Sequence, residues 1–550
     1  MHLNKLAGAA SLALSSALLL SGCGGDGSFP APYTVAGDTV QLNAGVLAAS
    51  AESTGALRVF KAIPFAAPPV GALRWKAPQP VFSWTGVRRS DAFSAACYQG
   101  NRPAGLLGAI LYQDPGVQSE DCLYLNVWTG AAPAAAEKRP VMLLLHGGGY
   151  QLGAGSQANY NGTGLAAKGA VVVTLNYRLG PLGFLAHPEL NAESAQQVSG
   201  NYALLDAIVA LKWVQANIAA FGGDPSNVTL YSESAGAGLS SVLLGSPLAA
   251  NLFHKLVTES LGSLPAGCPN TTMAQATAAG STYARNLGAA DLAALRAALR
   301  AKTPQELMAG TGSVIAPIVD GVVWPDQLDL LMAAGKIHDV PMLLGWNADE
   351  GTPYPPFATT LAGYEATATA RYGALASQFK QVYPVASDAD VLAMAYAPMR
   401  DSLFAWQPWT LARAHAARRK AKTFLYFFNR RPPYAAGQKF NEQDPPEKYG
   451  AYHSLEQVYF YNNLERSTPA RPYTDLDRQI AATASSYLVN FARVGDPNAS
   501  GLPAWPEFTG PASQTMAIGD TIAPAPVPFR PALDFFDAFY TQSLARPLPF

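Results

Sequence analysis

The sequence predicts an α/β fold with a mostly parallel central sheet, because short buried strands alternate with helices along the chain. Residues 141–145 and 171–175 are continuously apolar, which is typical of strands covered on both faces. Residues 202–219 carry apolar side chains at helical spacing and precede another strand that starts at Val228. Together they form a strand, helix, strand unit, and flanking helices are expected on both faces of the sheet.

The remaining elements extend this pattern towards the C-terminus. Residues 341–346 and 423–428 are predicted as further strands, and residues 475–493 as a long helix. Residues 265–310 and 355–420 have helical character and are expected to be insertions over one end of the sheet. The 550 residues contain no evident fixed-period repeat and no linker between separately folding halves, so one large domain is expected.

The composition excludes several classes of partner. Hydrophobic residues make up 49% of the chain and charged residues 14%, with a formal net charge of -1. This balance provides ample core material and no basic footprint for nucleic acid, and it favours a neutral or weakly polar ligand. The seven histidines are scattered and no C-x-x-C pair occurs, so no metal site is predicted.

A strand-to-helix turn at Ser234 has the layout of a nucleophile elbow. The run Asn227-Val-Thr-Leu-Tyr-Ser-Glu-Ser-Ala-Gly-Ala-Gly238 reads as a buried strand, a tight turn at Ser234, and a helix opening at Ala235. Gly236 occupies the usual downstream glycine position, whereas Ser232 replaces the usual upstream glycine. On these residues alone, an ordinary serine-rich turn is the alternative interpretation.

A glycine-rich loop upstream of this turn is a candidate anion cradle. His146-Gly147-Gly148-Gly149-Tyr150 follows a predicted strand, and its glycines leave backbone N–H groups free to hold an oxyanion. A flexible glycine turn is the alternative, but the position upstream of an elbow favours the cradle.

From about residue 40 to the C-terminus the chain resembles the type-B carboxylesterases, a family that includes cholinesterases and bacterial p-nitrobenzyl esterases. The resemblance implies an α/β-hydrolase domain over residues 37–550, with helical insertions over the active site. The matching stretches, in family order, are residues 60–75, Ser119-Glu-Asp-Cys-Leu-Tyr-Leu-Asn-Val127, Asn176-Tyr-Arg-Leu-Gly180, 221–227 and 232–236.

The resemblance also implies the other two members of a catalytic triad with Ser234. The acid corresponds to Glu350 in Asn347-Ala-Asp-Glu-Gly351, where Asp349 is the competing carboxylate. For both residues, the alternative is a solvated charge on a surface loop without a catalytic role. The base corresponds to His453, which is followed by Ser454 where the family more often has glycine. These residues follow the chain order of serine, acid and histidine expected of this fold.

The implied reaction is acyl transfer without a cofactor. His453 would deprotonate Ser234, Glu350 would orient the imidazole, and the serine would attack an ester carbonyl to form an acyl-enzyme. The oxyanion-hole donors implied by the family are the N–H groups of Gly148, Gly149 and Ala235.

Further residues match family positions outside the triad itself. Glu233, Ser260 and Glu456 match buried polar positions that steady the histidine or serve as structural hydrogen-bonding groups. Two matching ion pairs are read as structural: Arg74 with Glu120, and Arg178 with Asp206.

The first 22 residues read as a lipoprotein-type signal peptide. An apolar stretch ends in Leu20-Ser21-Gly22-Cys23, which resembles a bacterial lipobox whose cysteine is lipidated. Residues 23–36 would then be a flexible tether. The protein is expected to be exported and anchored in the outer membrane, in the periplasm or at the cell surface, and the alternative is a soluble exported protein cleaved nearby.

Three cysteines remain besides the predicted lipidation site Cys23. An oxidising compartment favours a Cys97–Cys122 disulfide that closes a loop of about 25 residues, with Cys268 as the odd thiol.

The substrate is constrained by aromatic residues. No tryptophan lies between Cys97 and Cys122, where cholinesterases carry the one that binds a quaternary ammonium, so a choline ester is disfavoured. Tyr150, Tyr354 and Phe357 suggest an apolar or aryl-tolerant pocket, or else core packing. The favoured function is hydrolysis of apolar or aryl esters, with polyester oligomers as possible substrates, and the alternative is an inactive cholinesterase-like surface binding protein.

Overall fold

The computed structural model describes residues 35–36, 39–54, 57–101, 113–132, 137–264, 271–289, 295–418, 420–440, 443–467 and 470–548. The predicted signal peptide, the predicted lipidation site Cys23, most of the predicted tether and Cys268 lie outside these residues. At the end of the predicted tether, Val35 and Ala36 pair with Val40 and Thr39 as antiparallel strands. Regular structure therefore begins before the tether boundary predicted at residue 36.

Ten strands of the described residues form one central sheet. In chain order these strands are β1 Arg58–Pro64, β2 Tyr124–Thr129, β3 Arg139–Leu145, β4 Val171–Leu175, β5 Gly223–Glu233, β6 Lys255–Glu259, β7 Met342–Asn347, β8 Thr423–Phe428, β9 Gln514–Ile518 and β10 Ile522–Pro526. Across the sheet they follow the order β10-β9-β8-β7-β6-β5-β3-β4-β2-β1. Every pair from β4 across to β9 is parallel. The antiparallel pairs β4–β2, β2–β1 and β9–β10 lie towards the two edges, so the mostly parallel sheet predicted from the sequence is confirmed.

The helices cover both faces and the carboxyl end of this sheet. In chain order they are α1 Thr163–Ala167, α2 Gly180–Phe184, α3 Pro188–Glu193, α4 Tyr202–Asn217, α5 Ala235–Leu244, α6 Met273–Asn286, α7 Leu295–Ala301, α8 Pro304–Ala309, α9 Leu328–Ala333, α10 Leu361–Tyr372, α11 Ala376–Val382, α12 Asp388–Met394, α13 Ala397–Met399, α14 Trp406–Arg418, α15 Glu456–Phe460, α16 Asp475–Val494 and α17 Arg530–Ser543. A π-helical segment, Arg400–Ala405, joins α13 to α14. The described residues of both predicted insertions are therefore largely helical.

Short strand pairs outside the central sheet complete the described structure. Thr39–Leu42, Gly45–Ala48 and Val87–Arg89 form a small sheet with the N-terminal strand. Two further pairings join Ala96–Cys97 to Gln118–Ser119 and Thr271–Thr272 to Ile318–Val319.

Strand β3 shows why the predicted strands are continuously apolar. Leu143 and Leu145 pack into the core layer that contains the buried residues of α4 and α5, whereas Met142 and Leu144 pack into the opposite layer with α16. Side chains on a strand alternate between the two faces, so a strand covered on both sides needs apolar residues at every position. The same burial on both faces holds β5 and β7 in place.

Polar contacts fix the loops beneath the carboxyl edge. Arg178 makes a two-pronged contact with Asp206, with Nε–Oδ2 and Nη2–Oδ1 distances of 2.8 and 2.7 Å. Arg74 pairs in the same way with Glu120, at 2.6 and 2.5 Å. Both ion pairs predicted as structural are present, and bidentate guanidinium–carboxylate contacts of this kind are geometrically specific.

Candidate active site

The site lies at the carboxyl ends of the central parallel strands. The glycine loop follows β3, Ser234 follows β5, Ser260 follows β6, and Glu350 lies three residues beyond β7. These four strands are neighbours in the sheet and run in the same direction, so their loops meet at one edge.

The backbone at Ser234 has the strained turn that an elbow requires. Ser234 has φ 52° and ψ -125°, an unusual region for a residue other than glycine, and α5 begins at the next residue. Its N–H donates to the Glu259 carbonyl at 2.9 Å, and its own carbonyl accepts from the Gly238 N–H at 3.0 Å. A Cβ at Gly236 would lie 2.1 Å from the Leu145 carbonyl oxygen, so this position has room only for glycine.

Ser232, the departure from the usual elbow glycine, is accommodated by hydrogen bonds. Its buried Oγ donates to the Val257 carbonyl at 3.0 Å and lies 2.6 Å from the Ser240 Oγ on α5. The extra side chain therefore links β5 to β6 and to the helix that follows the turn. Its hydroxyl has partners, which removes the desolvation penalty that an unpaired buried hydroxyl would carry.

Three residues that are remote in sequence meet at hydrogen-bonding distances. The His453 Nε2 lies 2.9 Å from the Ser234 Oγ, and the His453 Nδ1 lies 2.6 Å from the Glu350 Oε2. The network assigns a proton to Nδ1, because the carboxylate can only accept there, and this leaves Nε2 to accept from the serine hydroxyl. All three side chains are buried or nearly so.

The two adjacent carboxylates of the loop after β7 have different partners. Glu350 faces His453 and also accepts from the Asn347 N–H at 2.7 Å and from the Ser260 Oγ at 2.5 Å. Asp349 instead accepts from the Ala451 N–H at 2.8 Å, and this contact fastens the loop that carries the histidine.

The local electrostatics favour a neutral imidazole that can act as a base. Burial lowers the pKa of His453 below its ordinary value, and the nearby Glu233 opposes that shift. Burial also raises the pKa of Glu350, whereas the hydrogen bonds from Ser260 and Asn347 lower it and stabilise the carboxylate that accepts from the His453 Nδ1. Burial thus disfavours the imidazolium before the reaction begins. When His453 takes the serine proton, the carboxylate of Glu350 stabilises the positive charge that forms.

Glu456 and Ser260 form a layer behind the acid. The Ser260 Oγ bridges Glu350 to the Glu456 Oε1, which lies 3.1 Å away. Glu456 also accepts from the Asn347 side-chain amide and, at 3.4 Å, from the Tyr426 hydroxyl. The bridging and the shared amide hold the Glu350 carboxylate in one orientation. Nothing in the sequence signalled the part played by Asn347, because the partners of its side chain, Tyr452 and Glu456, lie more than 100 residues further along the chain.

The glycine loop leaves backbone donors beside Ser234. Within the described residues, no group accepts a hydrogen bond from the N–H of Gly148 or Gly149. Both glycines have positive φ, at 119° and 61°, and a Cβ at Gly148 would lie 2.0 Å from the Leu152 carbonyl oxygen. The N–H of Ala235 belongs to the first turn of α5, where no intrahelical acceptor exists. Gly148, Ser234 and His453 line the same small cavity.

The three aromatic residues predicted to line a pocket have different surroundings. Tyr354 lies with its ring centroid 5.7 Å from that of His453. Phe357 packs into an aromatic cluster that includes Phe379, and Tyr150 is buried with its hydroxyl against Gly238 of α5. Tyr150 is therefore a core residue and Phe357 packs half-buried against the core, which is the alternative that the sequence left open.

Phe404 is a residue of the site that the sequence analysis missed. Its ring lies 4.4 Å from that of His453 and 5.7 Å from that of Tyr354. It stands on the π-helical segment between α13 and α14, about 50 residues before the histidine in the chain. Such π-helical insertions are frequent at functional sites, but they leave no recognisable pattern in the sequence.

The predicted disulfide between Cys97 and Cys122 is present, with an S–S distance of 2.01 Å. It joins the strand Ala96–Cys97 to the turn that precedes β2. Residues 102–112 of the enclosed loop lie outside the described part of the chain.

A serine, an acid and a histidine in this chain order, on loops at the carboxyl edge of a mostly parallel sheet, define an α/β-hydrolase. Comparison with known proteins narrows the class. The chain belongs to the carboxylesterase family, which matches residues 38–527. It is 36% identical over 469 residues to the fumonisin B1 esterase of Sphingopyxis macrogoltabida, covering 82% of each chain.

Two further comparisons agree. The chain is 34% identical over 488 residues to the para-nitrobenzyl esterase of Bacillus subtilis (strain 168), covering 84% of this chain and 91% of that protein. A solved PNB esterase structure superposes with a TM-score of 0.72 at 30% identity, covering 91% of this chain and 99% of the other. The resemblance, the fold and the hydrolysis of carboxylic esters inferred from the sequence are thereby confirmed.

Proposed function

We propose that this carboxylic ester hydrolase works through an acyl-enzyme formed on Ser234. His453 takes the serine proton as the hydroxyl oxygen attacks the ester carbonyl, and then returns it to the departing alkoxide as the alcohol leaves. Water then attacks the acyl-enzyme, with His453 again acting as the base, and the carboxylic acid product is released from Ser234. The observation that carries this proposal is His453 bridging Ser234 at 2.9 Å and Glu350 at 2.6 Å. The test is loss of p-nitrophenyl butyrate hydrolysis on substitution of Ser234, which would also exclude the alternative of an inactive binding protein.

The N–H groups of Gly148, Gly149 and Ala235 are proposed to hold the oxyanion of each tetrahedral intermediate. Support comes from the two glycine N–H groups, which have no acceptor among the described residues, and from the start of α5 beside the nucleophile. Loss of one such donor typically costs about 3 kcal/mol of transition-state stabilisation. No cofactor takes part in this chemistry.

The preferred substrates are proposed to be esters with apolar or aryl groups, extending to polyester oligomers if the anchored enzyme faces outward. The support is that the rings of Tyr354 and Phe404 lie 5.7 and 4.4 Å from the ring of His453, on the side of the site where the alcohol group of an ester is proposed to bind. The name of the Bacillus subtilis relative refers to para-nitrobenzyl esters, which agrees with such a pocket. Aromatic pairs in offset or edge contact are worth about 0.5–1.5 kcal/mol beyond the area that they bury.

Replacing Phe404 by alanine should therefore reduce aryl preference. We expect the ratio of kcat/KM for phenyl butyrate over ethyl butyrate to fall about fivefold relative to the parent enzyme, because the ring contact with the aryl group is lost. Both esters share one acyl group, so the ratio isolates the alcohol side. Phe82→Ala, which removes a ring that is 74% exposed, serves as the control. An equal loss on both esters would mean that Phe404 only packs against the histidine.

The N-terminus is proposed to carry a lipid on Cys23 that attaches the enzyme to the outer membrane, in the periplasm or at the cell surface. The support is the apolar stretch that ends in Leu20-Ser21-Gly22-Cys23. We expect the parent protein in the membrane fraction of the host and the Cys23→Ser variant in the soluble fraction, each followed by immunoblot. A Cys23→Ser protein that stays with the membranes would refute the anchor.

A further inference from the structure

Ser454, the residue after the histidine, has a backbone conformation that ordinarily selects glycine. Its φ is 69°, and its side chain is largely buried. A Cβ in the left-handed region introduces steric strain, which is why asparagine, aspartate and glycine dominate there. A serine held in that conformation at a reactive site is grounds for seeking a role for its side chain.

The hydroxyl of Ser454 donates a hydrogen bond to the Oε1 of Glu233. The same Oε1 lies 3.2 Å from the His453 Nε2, the atom that contacts the Ser234 Oγ at 2.9 Å. The other carboxylate oxygen packs against the glycine loop, where a Cβ at Gly147 would lie 2.2 Å from it. Glu233 is thus fixed between the loop, the histidine and Ser454.

Many titratable groups face this carboxylate within the buried site. They are the base His453, the acids Glu259, Glu350 and Glu456, and the hydroxyls of Tyr160, Tyr177, Tyr426 and Tyr461. Burial, together with Glu456 and Glu350, raises the pKa of Glu233 to about 7, while the histidine and the hydrogen bond from Ser454 oppose that rise. Because this pKa lies near neutrality, one hydrogen bond is enough to change the fraction of Glu233 that is ionised at pH 7.

We propose that Ser454 is a positioning residue whose hydroxyl keeps Glu233 ionised and aimed at the His453 Nε2. The imidazolium that forms in each proton transfer then has a negative charge on both sides, from Glu350 at Nδ1 and from Glu233 near Nε2. The hydroxyl also donates a hydrogen bond to the Glu233 Oε1. This oxygen therefore competes less with the leaving alkoxide for the proton on the His453 Nε2. This inference rests on the proposed acyl-enzyme mechanism.

The sign of the effect follows from the hydrogen bond. A donor to a carboxylate stabilises the charged form, so its removal raises the pKa of Glu233. The carboxyl group then protonates at a higher pH, and the imidazolium loses one of its two charge partners at neutral pH. Burial lowers the pKa of His453 and raises that of Glu233 to about 7, so Glu233 protonates first as the pH falls and sets the acidic limb of kcat/KM. This limb should therefore move to higher pH, even though the pKa of His453 falls further below it.

Ser454→Ala and Ser454→Gly test the proposal as a matched pair. Both remove the hydroxyl, whereas only glycine also relieves the strained φ. We expect both variants to shift the acidic limb upward by about one pH unit, with about a fivefold loss of kcat/KM at pH 7 that narrows at pH 9. Ser241→Ala removes a buried hydroxyl that donates only to the Ala237 carbonyl, and it should leave the profile unchanged.

The partner residue gives a second test. In a Glu233→Gln background no charge remains to be held, so adding Ser454→Ala should change neither kcat/KM nor the pH profile further. An additive loss in the double variant would overturn the proposal, as would an unshifted acidic limb in both single variants. A shift in the alanine variant alone would assign the effect to backbone strain, and would overturn it as well.

A readout without turnover separates this inference from the proposed function. Titration of the His453 imidazole by nuclear magnetic resonance, assigned with a His453→Gln spectrum, should give a lower pKa in Ser454→Ala than in the parent protein. If turnover survived loss of Ser234, the acyl-enzyme mechanism would fail, while the histidine titration would still report whether Ser454 acts through Glu233. An unchanged histidine pKa would refute the Ser454 proposal.

Discussion

Replacing Ser234 by alanine should lower kcat/KM for p-nitrophenyl butyrate by about 10⁵-fold or more, because it removes the hydroxyl that contacts the His453 Nε2 and forms the acyl-enzyme. The variant keeps its Cβ, so the strained turn and the start of α5 should be unaffected. The rate of p-nitrophenol release measures the loss. Thermal unfolding should place the variant within about 2 °C of the parent protein, since the change removes a single hydroxyl.

Ser241→Ala is the matched control for this substitution. It removes a buried serine hydroxyl from the same helix, α5, without touching His453. Its kcat/KM should stay within about twofold of the parent value, as expected for a change away from the reacting atoms. Turnover that persists in Ser234→Ala would contradict the mechanism and remove Ser234 from it.

The second large effect is expected at Glu350. Substitution by glutamine should lower kcat by about 10³-fold or more, because the amide can donate to the His453 Nδ1 and so favours the tautomer with a proton on Nε2. That tautomer cannot accept from Ser234. Glu350 also takes hydrogen bonds from Ser260 and Asn347, so an isosteric replacement disturbs the packing least. Steady-state kinetics across a range of ester concentrations would separate kcat from KM.

Asp349→Asn provides the neighbouring control. Its side-chain oxygen can still accept from the Ala451 N–H, so the loop that carries the histidine should be retained. We expect kcat/KM within about threefold of the parent value. Equal losses at both positions would mean that the loop, rather than one carboxylate, supports the histidine.

The sequence was sufficient for the strands whose surroundings are apolar on both faces. Residues 141–145, 171–175, 341–346 and 423–428 all lie within or beside strands of the central sheet. Strand β6, Lys255–Glu259, was not predicted, because a five-residue segment with a charged residue at each end has little local signal. It forms because β5 and β7 pair with it on either side and bury it.

The sequence also located the elbow and the glycine loop, since both depend on local backbone geometry. Position 236 must be glycine because a Cβ there would overlap the Leu145 carbonyl oxygen. Ser234 occupies the tight turn between β5 and α5, which the strand and helix patterns on either side of it predict. The choice of Glu350 over Asp349 came from family resemblance, because two adjacent carboxylates on one loop look alike in sequence. The fold distinguishes them by direction, towards His453 for one and towards the loop at Ala451 for the other.

Local patterns were enough to establish an α/β-hydrolase with a serine at an elbow, because periodic burial and tight turns depend on neighbouring residues. The contacts around His453 could not be predicted in this way, because they do not depend on neighbouring residues. Phe404 and the contact between Ser454 and Glu233 join segments that are about 50 and more than 200 residues apart from one another in the chain. Such contacts arise when separate loops converge at the carboxyl edge of the sheet, so they depend on the packing of the whole fold.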